Sequence, residues 1–143
     1  MAITQAVCNT FKSELLGAVH DFDSGSGQVF KLALYTSAAN LSAATTAYTA
    51  TGEVANSGQY AATGGILLSQ TVSLDGSVGI VDFADLSFTG VTLTARGALI
   101  YNTSASSKSV CVLDFGADKT ATSGTFTIVF PANTSAAAIL RIA

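Results

Sequence analysis

Val91-Thr92-Leu93-Thr94-Ala95-Arg96-Gly97-Ala98-Leu99-Ile100-Tyr101-Asn102 decides the fold class. Leu93, Ala95, Gly97, Leu99 and Tyr101 alternate with Thr92, Thr94, Arg96, Ala98 and Ile100. A period of two turns one side of an extended chain toward apolar neighbours and the other toward hydroxyls, which is the pattern of a half-buried β-strand. Phe126, Ile128 and Phe130 repeat it against Thr125, Thr127 and Val129.

Working outward, Ile66 to Leu74, Val78 to Ala84, Val110 to Phe115, Thr125 to Phe130 and Ala138 to Ile142 read as further short strands. Asp75-Gly76, Thr89-Gly90, Asn102 to Ser107, Gly116 to Lys119 and Ser123-Gly124 fall between the apolar runs and carry turn chemistry. Pro131 sits just past a run, where a missing N–H does no harm. Upstream, Val29-Phe30-Lys31-Leu32-Ala33-Leu34-Tyr35 is apolar on both sides, so a strand over residues 28–36 belongs near the centre of a core. Residues 36–65 are rich in Ala, Thr, Ser and Gly and lack a period; a long irregular loop is expected, with Leu41, Tyr48, Val54 and Tyr60 as anchors.

At the N-terminus, Thr4 is placed to cap a helix in which Val7, Cys8, Phe11, Leu15 and Val19 recur at helical spacing, predicting a helix over about residues 4–19. Asp21, Asp23, Ser24, Gly25, Ser26 and Gly27 follow as a cluster of turn formers that ends it. At 143 residues the chain fits one domain, residues 1–143. The expected class is all-β, an antiparallel β-sandwich or jelly roll of about seven to eight strands with one N-terminal amphipathic α-helix along a side or edge.

Charged residues are 10% of the chain and hydrophobic ones 49%, with a net charge of -3, so the surface is hydroxyl-rich and copies repel one another weakly. Association is the expectation. Lys12, Lys31, Arg96, Lys108, Lys119 and Arg141 are scattered and form no phosphate-binding stripe, which argues against nucleic-acid binding. No apolar stretch reaches the length of a membrane-spanning helix, and the first ten residues do not read as an export signal, so no membrane partner is expected. Cys8 and Cys111 stand in apolar settings and read as small buried hydrophobes; spacing alone leaves open whether they pair.

No catalytic constellation emerges. His20 follows the helix beside Asp21 and Asp23, where capping the negative end of the helix dipole is the plain reading. Asp21-x-Asp23-x-Gly25 opens like a calcium loop but lacks the later ligands, so it reads as a turn. Asp82, Asp85, Asp114 and Asp118 fall at strand ends or turns, where carboxylates bond nearby backbone N–H groups. Neither zinc-ligand clusters nor phosphate-binding loops occur, so no metal, cofactor or enzymatic activity is expected.

Ala2 to Lys12, Phe30 to Thr36, Thr45-Thr46-Ala47-Tyr48, Ala95 to Asn102 and Val112-Leu113-Asp114-Phe115-Gly116 together resemble a family of small virion structural proteins of tailed bacteriophages. By likeness to jelly-roll cement proteins, the resemblance implies a decoration subunit on the outer surface of the phage head, made in the host cytoplasm. Its partners would be the major capsid protein and further copies of itself, as a dimer or trimer. The alternative is a tail-associated or receptor-binding virion module. The helix and the 36–65 loop are the expected contact elements, with Phe11, Leu41, Tyr48, Val54 and Tyr60 as contact residues.

Overall fold

The computed structural model describes residues 2–143. In chain order its elements are β1 (Ala6–Val7), α1 (Asn9–Leu16), β2 (Phe30–Tyr35), β3 (Gly65–Ile66), β4 (Thr71–Asp75), β5 (Val78–Asp82), β6 (Leu86–Asn102), a 3-10 turn at Thr103–Ala105, β7 (Lys108–Ile128) and β8 (Leu140–Ile142). The fold is an all-β sandwich: a five-stranded antiparallel sheet, β1-β7-β6-β2-β3, a three-stranded one, β4-β5-β8, and a single short helix near the N-terminus.

The helix is half the length expected from residues 4–19, and each end has a physical cause. Ala6 and Val7 are drawn into the large sheet opposite Val112 and Cys111, so their apolar side chains serve a strand edge. Thr4 therefore caps nothing; the N-cap is Cys8, whose backbone is extended and whose side chain accepts no capping bond. At the other end Ala18 takes a left-handed conformation (φ 60), and Val19 N–H reaches back to the Glu14 carbonyl at 2.9 Å. That backward bond closes the helix at Leu16 and Gly17.

A second correction concerns the separators. Asp75-Gly76 does close a hairpin, with Asp75 opposite Val78, and Asn102 to Ser107 turns the chain from β6 into β7. The other three do not turn the chain. β6 and β7 run past them as one long hairpin, and each sits at a β-bulge. Pairing steps from Phe88 and Phe126 to Val91 and Gly124, leaving an extra residue in β6 at Thr89-Gly90, where Gly90 has φ 64. It steps from Val91 and Gly124 to Leu93 and Ala121 around Ser123 (φ 46), and from Ala95 and Lys119 to Gly97 and Asp114 around Gly116 (φ 78). A left-handed residue inserted in one strand is the chemistry of a bulge as much as of a turn. The strands expected at Val91–Asn102, Val110–Phe115 and Thr125–Phe130 are thus parts of two long ribbons.

Both sides of the large sheet's inner half are buried. Phe30, Leu32, Ala98, Ile100 and Cys111 face the helix and the segment after it, where Phe22 stacks on Phe30 at 4.4 Å and Phe83 and Phe130 extend the aromatic cluster. On the opposite side, Tyr101 packs against Tyr48 and Phe88 against Tyr60, each pair with ring centroids 5.0 Å apart. Residues 36–64 lack helices and strands of their own, as expected, and they roof this side of the sheet. Their backbone is pinned along its length: Leu41 N–H to Ala2 O (3.0 Å), Tyr48 N–H to Ser107 O (2.9 Å), Val54 N–H to Leu34 O (2.9 Å) and Gln59 N–H to Thr89 O (3.1 Å). An irregular segment can enter a core only when its polar backbone is satisfied in this way.

Candidate functional site

Four of the five expected contact residues lie in the interior. Phe11, Leu41, Val54 and Tyr60 are buried in the main core, and Tyr48 is half-buried on Tyr101. They hold the chain's own parts together: Leu41, Val54 and Tyr60 present no surface to a partner, which corrects the expectation that they form contacts, whereas Phe11 shows only its edge, in the wall of a groove between α1 and the small sheet, and Tyr48 is partly covered by Tyr101.

Three of the four tyrosines join one network through Glu53 and Thr63, and the fourth, Tyr35, lies beside it. Glu53 Oε1 accepts bonds from the Tyr60 hydroxyl (2.8 Å) and the Thr63 N–H (2.7 Å), while Oε2 accepts the Tyr48 hydroxyl. Tyr35 donates to Thr49 O at 2.7 Å and Tyr101 to Thr63 O. Desolvation by burial pushes the phenols of Tyr35, Tyr48 and Tyr60 well above the ordinary range, and the Glu53 carboxylate adds to the rise. The phenols are locked as neutral donors, which is a structural role. A signal was present in the sequence: Glu53 is the sole charged residue between Lys31 and Asp75, and Tyr48 and Tyr60 flank it.

His20 is buried beyond the helix end and bonded at both ring nitrogens. Nε2 lies 3.1 Å from Glu14 Oε1 and Nδ1 lies 3.1 Å from Asn102 Nδ2. Because the Asn102 amide donates there and to Gln28 Oε1 (2.8 Å), Nδ1 is the acceptor and Nε2–H the donor. Glu14 also meets Lys108 Nζ at 3.0 Å. Burial opposes its ionisation, but the bonds from His20 and Lys108 prevail and hold its pKa below the usual carboxylate range. With both nitrogens engaged, the ring fastens the helix to the large sheet and has no free position for proton transfer.

Of the four aspartates expected to bond backbone, Asp85 and Asp114 do so, whereas the buried Asp82 Oδ1 finds no partner among the described residues. Asp21 and Asp23 take the N–H groups of Asp23 and Gly25 at 2.9 and 2.7 Å in successive turns, and Asp85 takes that of Phe130 at 2.9 Å. Asp114 accepts from Gly116 N–H (2.9 Å) and Arg96 Nε (3.2 Å), which together lower its pKa. Cys8 and Cys111 are free thiols, both buried. Among the described residues no helix is long and apolar enough to cross a membrane.

Of two cavities open among the described residues, one of about 560 Å³ beside β1 has a more polar lining, and the more apolar one is a groove of about 580 Å³ between α1 and the small sheet. One wall is Val7, Phe11, Leu15 and Leu16; the other is Val72, Val81, Leu140 and Ile142, with Lys12 and Arg141 as its cations. Register explains the second wall. Val72 stands opposite Val81 and Val81 opposite Leu140, so alternate residues of β4, β5 and β8 build one apolar face. The face is only partly used: Leu16 is 91% exposed, Leu74 72%, Ile142 64% and Val72 54%. Large contiguous apolar surface of this kind marks an interaction site more often than a solvent face. Sequence reasoning missed it, since a helix over residues 4–19 turns Leu16 toward water and Ile66 to Leu74 reads as one continuous strand. Compared with protein-family models, curated proteins and solved structures, the chain matches none.

Proposed function

We propose that this protein is a cement subunit of a tailed-phage head, docking on the outer surface of the shell and bridging major capsid proteins. The observation that carries the reading is the apolar groove between α1 and the small sheet, with Leu16 standing free at its rim. The resemblance of five sequence stretches to small virion proteins supplies the setting, and the weakly charged surface fits it. Contacts made by hydroxyls and carbon avoid the desolvation penalty of buried ions. A protein that binds only the assembled shell stabilises it by mass action at every equivalent site, so modest contacts suffice.

The chemistry-bearing side chains support a structural role. His20, Glu14, Glu53 and all four tyrosines are committed to bonds that hold the fold.

The test is to image intact virions and count this chain against the major capsid protein. Density over the head in on the order of hundreds of copies is the expected result, because an icosahedral shell repeats its sites. Density confined to the tail would overturn the reading in favour of a receptor-binding module. In parallel, Leu16→Lys removes an exposed leucine from the groove without touching the core. A partner that buries this side chain gains about 1.5–3 kcal/mol from it, so capsid affinity per site should fall about ten- to hundred-fold.

A further inference from the structure

We infer that β4 is a self-pairing edge, and that two copies of this chain join through it across a two-fold axis into one six-stranded sheet, β8-β5-β4-β4-β5-β8. The inference concerns the backbone edge of β4, which borders the groove at Val72, and holds whatever the groove docks on.

β4 is the end strand of the small sheet and, among the described residues, takes no neighbour on its outer side. Thr71, Val72, Ser73 and Leu74 are all exposed, on both faces of the strand. Natural edges are blunted by lysine, proline, bulges or a covering segment. This one has none of the first three: Ile66 to Leu74 contains no charged residue and no proline, and β4 pairs with β5 in unbroken register.

Geometry selects the occupant. Asp75 and Val78 close a two-residue hairpin, so they form a doubly hydrogen-bonded pair, and the alternation of an antiparallel ladder then turns Thr71, Ser73 and Asp75 inward to β5. The N–H and C=O groups of Val72 and Leu74 point outward. An antiparallel partner centred on Ser73 sets Val72 opposite Leu74 of the second copy and Leu74 opposite its Val72. Each pair exchanges two backbone bonds, with no residue displaced. Thr71-Val72-Ser73-Leu74-Asp75 is palindromic in polarity, as two-fold pairing requires. Asp75, its one charge, falls opposite Thr71 of the other copy, so no like charges meet. The same register places Val72 and Leu74 of both copies on the side that already carries Val81, Leu140 and Ile142, joining two half-exposed apolar faces into one.

Sedimentation equilibrium of the 143-residue chain should give twice the monomer mass at high concentration and fall to the monomer on dilution. Leu74→Pro deletes an N–H that no intrachain bond uses, twice per dimer, and should raise the dissociation constant about thirty-fold with an unchanged far-UV spectrum. Val72→Lys, which keeps the backbone and adds the charge that natural edges carry, should also yield the monomer. A wild-type chain that stays monomeric at millimolar concentration would overturn the proposal. So would a trimer, or a dimer that persists undiminished in both folded variants.

Discussion

Glu53→Ala should be strongly destabilising although the position is half-exposed. The carboxylate accepts three bonds: the Tyr60 hydroxyl at 2.8 Å, the Thr63 N–H at 2.7 Å and the Tyr48 hydroxyl. Bonds to a charged acceptor contribute about 1.5–3 kcal/mol each when the donor has no alternative. Tyr60 is 1% exposed and has no water to turn to, and its other acceptor, Leu34 O, lies at a long 3.5 Å, so its bond counts nearly in full. Thr63 is exposed and Tyr48 half-buried, so water replaces much of their loss, leaving about 0.5 kcal/mol each. The sum is about 3 kcal/mol, a large share of the roughly 5–15 kcal/mol that stabilises a domain of this size. Glu53→Gln keeps one carbonyl acceptor and should cost about half as much. Urea unfolding at neutral pH reads both, with the denaturant slope showing that the same surface is exposed. A loss below about 1 kcal/mol for Glu53→Ala, at unchanged slope, would refute the claim that this carboxylate holds the 36–64 segment on the sheet.

Three further outcomes follow from the same physics. Unfolded phenols ionise near about pH 10, whereas burial keeps Tyr35, Tyr48 and Tyr60 protonated in the native state; their stabilisation is therefore complete below that pH and lost as pH rises past it. Absorbance of tyrosinate should stay silent near pH 10 and appear together with alkaline unfolding; a gradual native-state titration there would contradict the burial. Gly64→Ala should cost about 3 kcal/mol or more by thermal or urea unfolding, since Gly64 has φ +85 and a Cβ would lie 2.0 Å from Leu32 O. Gly27→Ala, with φ +76 and open space around it, should cost only about 1 kcal/mol, and equal losses would remove the clash from the explanation. Burial pushes the Cys111 thiol up to about 12 and raises Cys8 as well, so a thiol reagent at pH 8 should label neither until the protein unfolds; rapid labelling of the native chain would show that β1 opens.

The fold class was legible because one-sided burial writes itself into a strand as a period of two, and Thr92 to Arg96 shows it without ambiguity. The count of long strands was not legible. Gly90, Gly116 and Ser123 adopt the left-handed conformations that turns use, and whether such a residue reverses the chain or bulges one strand depends on a partner strand far away in sequence. Val7 shows the same limit at the helix: its spacing to Phe11 fits a helix, yet the free edge at Cys111 takes it as a strand residue.

The contact residues failed for a related reason, and the reason locates the real surface. Tyr48, Val54 and Tyr60 lie in a stretch without period, and lone apolar anchors in such a stretch read equally well as an interface or as a roof over the chain's own sheet. Hydrogen bonding decides between them. The 36–64 backbone is tied at Ala2, Leu34, Thr89 and Ser107, four places far apart in sequence, so the segment is inside the fold before any partner arrives. Apolar residues meant for a partner should show the opposite combination, a regular backbone that needs no help and side chains that nothing covers. Leu16 on α1, Val72 and Leu74 on β4 and Ile142 on β8 meet that description. A low-charge chain must place its unburied carbon somewhere, and here four of its exposed large apolar side chains lie on the small sheet and the facing end of the helix, where association costs the fold nothing.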